Sequence, residues 1–326
     1  MPAIPCRTSA QEQQQRAIAD SDRDGISDST EQALLLQFAP IFMVARHDCS
    51  KLPAEFIPNL ETPTPEVEDG TIYGQVFLAK SAASGAPTAE IHFYHLWRSD
   101  CGPHGHPLDT EHVAVLVSAS EKNLDNAKWK ALYWYAAAHE ETVCDVSQIT
   151  RASTLHAEQS GATIYVSPGK HASYLDQRLC HAGCGADRCA DQVALPHGTI
   201  INLGEYGHPM NGAIFIESRQ WPLLGKMTHT NFPAEPIARL NQMPDTDIAW
   251  FNPGKHPAQG IIANSNTTKQ AIVIGANSTG VALSLANNNT GNALQKSYAN
   301  TKHALGATVK NVGKALNPQP KSGNSK

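Results

Sequence analysis

The stretch Glu90-Ile91-His92-Phe93-Tyr94-His95-Leu96-Trp97 has the alternation of a β-strand. Successive strand side chains point to opposite faces, so His92, Tyr94 and Leu96 share one face and Ile91, Phe93, His95 and Trp97 the other. Four further runs rich in Val, Ile, Tyr, Phe and Trp have the same character: residues 71–79, 112–118, 130–137 and 162–167, separated by Gly, Pro, Asp and Asn. Strands that succeed one another without long helices between them predict an antiparallel β-sandwich. Upstream, residues 29–38 predict a short helix opened by Ser/Thr and acidic residues and stopped before Pro40. Downstream, residues 199–203 predict a strand, 213–217 a strand or turn, and 234–243 a helix. The expected fold class is mainly β with flanking helices (α+β): an antiparallel β-sandwich core, a cysteine-stapled loop and an Asn/Ala-rich C-terminal tail.

At 326 residues the chain accommodates one large domain with appendages. The expected division is a polar leader at 1–19, a calcium-loop motif at 20–32, a β-sandwich domain at 33–258 carrying a cysteine insert, and a low-complexity tail at 259–326. Only 17% of residues are charged and the net charge is -5, so the chain has no electrostatic footprint for nucleic acid. The longest apolar run, 33–45, is broken by Gln37 and Pro40 and falls well short of the roughly 20 residues of a membrane-spanning helix. Residues 1–16 are Gln-rich with no apolar core behind positive charge, so no secretory signal is visible. In the tail, Leu294, Tyr298, Thr301, Leu305, Val309, Val312 and Leu316 recur at helical spacing among Lys296, Lys302, Lys310 and Lys314. Such a basic amphipathic helix can make a peripheral membrane contact; the alternative is a helix docked on its own domain or only partly formed because of Gly306 and Gly313.

Seven cysteines without a C-x-x-C spacing point to disulfides and an oxidising, extracytoplasmic compartment: secreted, periplasmic or cell-surface. Cys180, Cys184 and Cys189 with His181 could alternatively hold zinc, although such sites usually come as paired short spacings.

The segment from Asp20 to Glu31 matches D-x-D-x-D-G-x5-E, in which Asp20, Asp22, Asp24, Asp28 and Glu31 converge on Ca²⁺ and Gly25 permits the sharp turn. Ile26 sits one position earlier than the hydrophobic residue of a helix-loop-helix calcium site, which favours the short aspartate-rich loops of extracellular proteins. The alternative is a solvated acidic turn capping the following helix.

A second concentration of ligand-type residues lies between two strands: Asp100, His104, His106, Asp109, Glu111 and His112. Asp109 and Glu111 are two apart, so on a strand they share a face, and two carboxylates there repel unless a cation sits between them. A divalent cation (Ca²⁺, Mg²⁺ or Mn²⁺) held by Asp100, His106, Asp109 and Glu111 answers this. A surface loop with scattered histidines and a local ion pair is the alternative.

Gly105-His106-Pro107-Leu108-Asp109-Thr110-Glu111 resembles the Gly-His-Arg-His-Asp-Trp-Glu heptapeptide of the necrosis- and ethylene-inducing peptide-like proteins and the Asp-Trp-Glu-His motif of the related vacuolar protein sorting sixty-two proteins. In the same order, Asp100 matches their upstream aspartate, Ala137-Ala138-His139 their Ser-x-His, and Gly169-Lys170-His171-Ala172 their Gly-x-His-Ala. Residues 34–42 are similar to the Leu-x-x-Tyr-Ala-Pro opening of the second family. The resemblance spans roughly residues 33–175. It implies a central β-sandwich, a divalent cation at one end held by Asp100, His106, Asp109 and Glu111, and recognition of a glycosylated lipid head group there. Leu108 and Thr110 replace the second histidine and the tryptophan, so the fold and metal site carry over and cytolysis does not.

Three functions are therefore in view. One is a secreted cation-dependent module recognising a polar head group: a glycan, glycolipid or phosphorylated ligand. Another is a metal-dependent phosphoester or ester hydrolase in which His139 or His171 moves protons, although a histidine that only orients a carboxylate ligand is the commoner arrangement. The third is a structural surface protein with no activity. No nucleophile elbow, Walker loop, His-Glu-x-x-His helix or dinucleotide glycine pattern occurs.

Overall fold

The structure, a computed structural model, describes residues 19–79, 86–102, 105–142, 144–183, 187–196 and 198–253. The expected leader, apart from residue 19, and the expected tail with its amphipathic helix lie outside these residues.

Helix α1 (Asp28–Gln37) leads into β1 (Ile41–Ala45), β2 (Ala54–Phe56), β3 (Pro65–Glu68) and β4 (Ile72–Leu78). The long strands β5 (Thr88–Asp100) and β6 (His106–Ala119) follow, then β7 (Trp129–Ala136), β8 (Gln148–Arg151), β9 (Thr163–Val166) and β10 (Ser173–Tyr174). Helix α2 (Gln177–Ala182) precedes β11 (Gln192–Ala194), β12 (Ile200–Asn202), β13 (Gly204–Glu205), β14 (His208–Pro209), the short helices α3 (Leu224–Met227) and α4 (Ala234–Leu240), and β15 (Ile248–Trp250).

Seven strands form one sheet in the order β12-β4-β5-β6-β7-β8-β15 and four form a second, β10-β9-β1-β11. The mainly β, sandwich-like class is as expected, with two amendments. The pairs β4/β12 and β1/β9 are parallel. Strand β6 begins at His106 rather than 112, which places Asp109 and Glu111 within the sheet. Residues 214–217 form a 3-10 turn.

Alternation in β5 sorts the layers. Ile91, Phe93 and Trp97 join Val113, Val115 and Val117 of β6 and pack against Phe42 and Val44 of β1, Ile164 and Val166 of β9, and Leu34, Leu35 and Phe38 at α1. Tyr94 and Leu96, on the opposite face, meet Phe56, Phe215, Trp221 and Met227. Ala114, Tyr135 and Ile149 meet Phe232 and Leu240. The larger sheet is therefore the middle of three layers, its outer face covered by the irregular segment 203–251. Among the described residues no helix is long and apolar enough to cross a membrane.

Helix α1 starts at Ser27, whose hydroxyl accepts from Thr30 N at 3.3 Å. Asp125 pins that turn by accepting from Ser27 Oγ at 2.6 Å and Thr30 Oγ1 at 2.7 Å. The helix can lie on β4 because position 74 is glycine: a Cβ there would overlap the Leu35 side chain. Gly74→Ala should therefore lower stability by about 1–3 kcal/mol, the usual cost of overpacking. A urea melt will read this as a lower midpoint at unchanged slope.

Candidate metal centres

The register of β5 on β6 sets Glu111 opposite His95, Asp109 opposite Trp97 and His106 opposite Asp100. Directly opposed residues share a face, so Asp109 and Glu111 point toward the smaller sheet. Two connections bring further polar side chains to this end of the sandwich. From the β9–β10 connection comes His171, fully buried and stacked on Trp97 with ring centroids 4.0 Å apart and planes 8° from parallel. Its Nδ1 lies 2.7 Å from Asp109 Oδ2, while its Nε2 is 3.7 Å from Asp48 Oδ2, beyond hydrogen-bond reach. From the end of β7 comes His139, whose Nε2 is hydrogen-bonded to Asp187. Lys170 pairs with Asp100, which also accepts from Gly102 N at 2.8 Å. Leu108, His139 and His171 all hold left-handed backbones, with φ of 60°, 52° and 48°. Such strain persists only where surrounding contacts over-determine it.

The electrostatics of this end are one-sided. Burial, then the charges of Asp109, Glu140, Asp187 and Asp100, hold the Glu111 carboxyl well above the usual carboxylate range. Against these five carboxylates stand Lys170 on Asp100 and Lys226, 3.2 Å from Glu140. A divalent cation suits that charge inventory. The atoms themselves are turned toward protein partners, Asp100 to Lys170 and Asp109 to His171, and the His106 side chain is 57% exposed, 3.4 Å from Asp100. Among the described residues, no three of Asp100, His106, Asp109 and Glu111 bring ligand atoms within 4.8 Å of one another. The sequence-predicted residues are thus gathered at one end of the sandwich without converging on a point.

Beside them lies an open cleft of about 470 Å³ lined by His47, Asp48, Lys51, Gly102, Lys170 and Asp187. Its floor is fixed by a disulfide between Cys49 and Cys101. A second disulfide joins Cys180 to Cys189, which removes two thiolates from the zinc alternative and leaves the stapled loop. That loop delivers Asp187, which is 5% exposed. Sequence reasoning missed Asp187, Glu140 and Asp48 because none belongs to a motif; a carboxylate inside a cysteine-stapled loop was the available signal for the first.

The acidic loop is built differently. Asp20, Asp22 and Asp24 bring carboxylate oxygens within 4.8 Å of one another. Asp20 accepts from Gly25 N at 3.2 Å and Asp24 from Ile26 N at 2.7 Å. Asp28 is engaged by Ser21 through N and Oγ, both at 2.7 Å. Both oxygens of Asp22, Oδ2 of Asp24 and Oε1 of Glu31 are buried with no hydrogen-bond partner. Stranded buried carboxylate oxygens are costly, and a hard cation is the group that satisfies several at once. Burial, reinforced by Asp20, pushes Asp22 up to about 6. Burial raises Asp24 to about 7 despite the Ile26 hydrogen bond, and burial with Asp22 raises Glu31 to about 9.

No family model matches the chain, and no curated protein matches it. Solved structures of necrosis- and ethylene-inducing toxin-fold proteins are similar at low identity. A mutant of NLPPya is 15% identical with a TM-score of 0.37, covering 59% of this chain and 81% of that one. NLPPya in complex with mannosamine is 16% identical with a TM-score of 0.34, covering 62% and 91%. Necrosis and Ethylene inducing Protein 2 from the causal agent of cocoa's Witches Broom disease is 13% identical with a TM-score of 0.31, covering 61% and 84%.

The raised carboxyls of the loop set a pH dependence. Folded Asp22, Asp24 and Glu31 keep protons that the unfolded chain has released above its ordinary values of 3.8 and 4.5. Folding therefore takes up protons in this window, and stability falls as pH rises from the ordinary carboxylate range toward about 9. With divalent ions chelated, the melting temperature should be lower at mildly alkaline than at mildly acidic pH. Excess Ca²⁺ should remove the difference; a melting temperature that rises with pH in chelator would contradict this account.

Proposed function

We propose that this is an extracytoplasmic, calcium-stabilised binding module that recognises a polar head group, whether of a glycan, a glycolipid or a phosphorylated ligand, at the acidic end of its β-sandwich. The observation that carries the reading is the gathering of Glu111 with Asp109, Glu140, Asp187 and Asp100 at one end of the sandwich, where Asp187 also lines an open cleft. A divalent cation taken up by Asp100, His106, Asp109 and Glu111 would offer open coordination positions to hydroxyl or phosphoryl oxygens. Lys51 and Lys170 line the cleft and supply positive charge for an anionic or polyhydroxyl group, with the His47 ring beside them. The second cation, calcium, belongs to the acidic loop, where Asp20, Asp22, Asp24 and Glu31 hold it, Asp28 being engaged by Ser21, and it stabilises the fold.

Binding is favoured over hydrolysis by the state of the two histidines. His171 is fully buried, stacked on Trp97 and bonded to Asp109, and it is not among the residues lining the cleft, so it orients a carboxylate. His139 is spoken for by Asp187, and its side chain is 13% exposed.

Calorimetry with glucosamine, mannosamine, inorganic phosphate and glycolipid vesicles, each with Ca²⁺, Mg²⁺, Mn²⁺ or chelator, tests the reading. At least one head group should bind only with a divalent cation present. Asp109→Asn should weaken that binding by roughly tenfold or more, about 1.4 kcal/mol. Turnover of phosphoester or ester substrates that depends on Asp109 and His139 would favour the hydrolase instead. Neither binding nor turnover would leave a structural surface protein.

A further inference from the structure

The acidic loop and the irregular outer layer meet at one place. Asn202, the last residue of β12, donates from Nδ2 to Glu31 Oε2 at 3.0 Å. Three residues on, Glu205 accepts from Gln75 Nε2, which lies 3.0 and 3.1 Å from its two oxygens. Glu205 feels the charges of Asp22 and Asp24, which add to burial in pushing its carboxyl up to about 8. None of the ion pairs among the described residues includes Asp20, Asp22, Asp24, Glu31 or Glu205.

The side chains of the loop alone leave few carboxylate oxygens uncommitted. Asp28 is occupied by Ser21, and one oxygen each of Asp20 and Asp24 is taken by the loop's own N–H groups. Calcium takes 6–8 oxygens. The oxygens left over include both of Asp22, which is 2% exposed, and Oε1 of Glu31, which is 0% exposed. Glu205, three residues beyond the Asn202 that bonds Glu31, brings a further carboxylate to this edge from outside the motif.

We propose that the calcium of the acidic loop is shared with Glu205, so that one ion, held by Asp20, Asp22, Asp24, Glu31 and Glu205, fastens the β13–β14 segment of the outer layer to the loop in front of α1. The inference rests on the calcium reading of the loop and extends it: the ion is a clasp between two layers, where the motif by itself describes only a local staple. Calcium withdrawal then loosens the outer layer first at residues 202–210.

Calcium titration and hydrogen exchange on the full chain test this. In the wild type, calcium should slow exchange both in residues 19–31 and in residues 202–210. Glu205→Gln, which preserves size and can still bond Gln75, should weaken calcium binding by roughly tenfold or more and abolish the protection of 202–210. Calcium binding that protects 19–31 while 202–210 exchanges as in chelator overturns the clasp and leaves the loop reading intact. A Glu205→Gln protein that binds calcium as tightly as the wild type does the same. No calcium binding by the wild type overturns both. Should the variant fail to fold, the exchange pattern of the wild type decides alone.

Discussion

The pairing of β5 with β6 is the constraint on which the remaining structure depends. Every residue of β5 from Thr88 to Trp97 is buried, so the hairpin is covered on both faces and alternation decides which layer each side chain meets. On the inner face the apolar series Ile91, Phe93 and Trp97 ends against the charged rim. Trp97 is the transition: its indole N–H donates to His95 Nδ1 at 2.8 Å, and its ring carries His171. His95 Nε2 in turn lies 2.8 Å from Ser173 Oγ, and burial followed by the His171 charge lowers its pKa to about 3. The two sheets are thus joined at the acidic end by the hydrogen-bonded series Trp97, His95 and Ser173, in which His95 stays neutral, so carboxylates sit just beyond without a charge entering the core there.

The outer face of the same strand presents a different problem, because Glu90, His92 and Tyr94 are buried there. They are satisfied in series: Glu90 Oε2 lies 3.2 Å from His92 Nε2 and accepts from Asn231 N at 3.0 Å, His92 Nδ1 lies 3.1 Å from Tyr94 Oη, and Tyr94 donates to Gln75 Oε1 at 2.7 Å. A buried polar network is tolerable when each member finds a partner, and it then fixes one arrangement of the layers that share it. Segment 203–251 is held over the sheet by this chain as much as by Trp221 and Phe215.

Much of this was legible in the sequence, and the reasons for the rest are physical. The alternation at 90–97 gave the central strand and both of its faces, and the apolar runs gave β4, β6, β7 and β9. Strand β1 was hidden by Pro40 directly before it, a residue that reads as a stop although it also suits the start of a strand. The early part of β6 was hidden by Pro107 and Leu108, the latter in a left-handed conformation that no strand pattern anticipates. At the site, the spacing of Asp109 and Glu111 correctly put them on one face. Local spacing could not see that Lys170 and His171 would engage Asp100 and Asp109, or that Glu140 and Asp187 would enlarge the acidic group. In the acidic loop, spacing brought together Asp20, Asp22 and Asp24 and gave no sign that Ser21 would claim Asp28. Contacts over long sequence separations leave no periodicity to read.

Gln75 shows how closely the outer layer is tied to both acidic regions. Its amide nitrogen donates to Glu205 and to Met227 O at 3.0 Å, and its oxygen accepts from Tyr94. Met227 follows Lys226, which pairs with Glu140 at the opposite acidic centre. Only an amide can play this part. A glutamate would set a second charge against Glu205 and lose both donors, and a methionine would leave Glu205 and Met227 O without the Gln75 amide and Tyr94 with His92 alone. One neutral side chain therefore positions the acid beside the aspartate-rich loop and the backbone that carries the lysine of the other site. The two regions of concentrated negative charge share a scaffold even though they share no ligand.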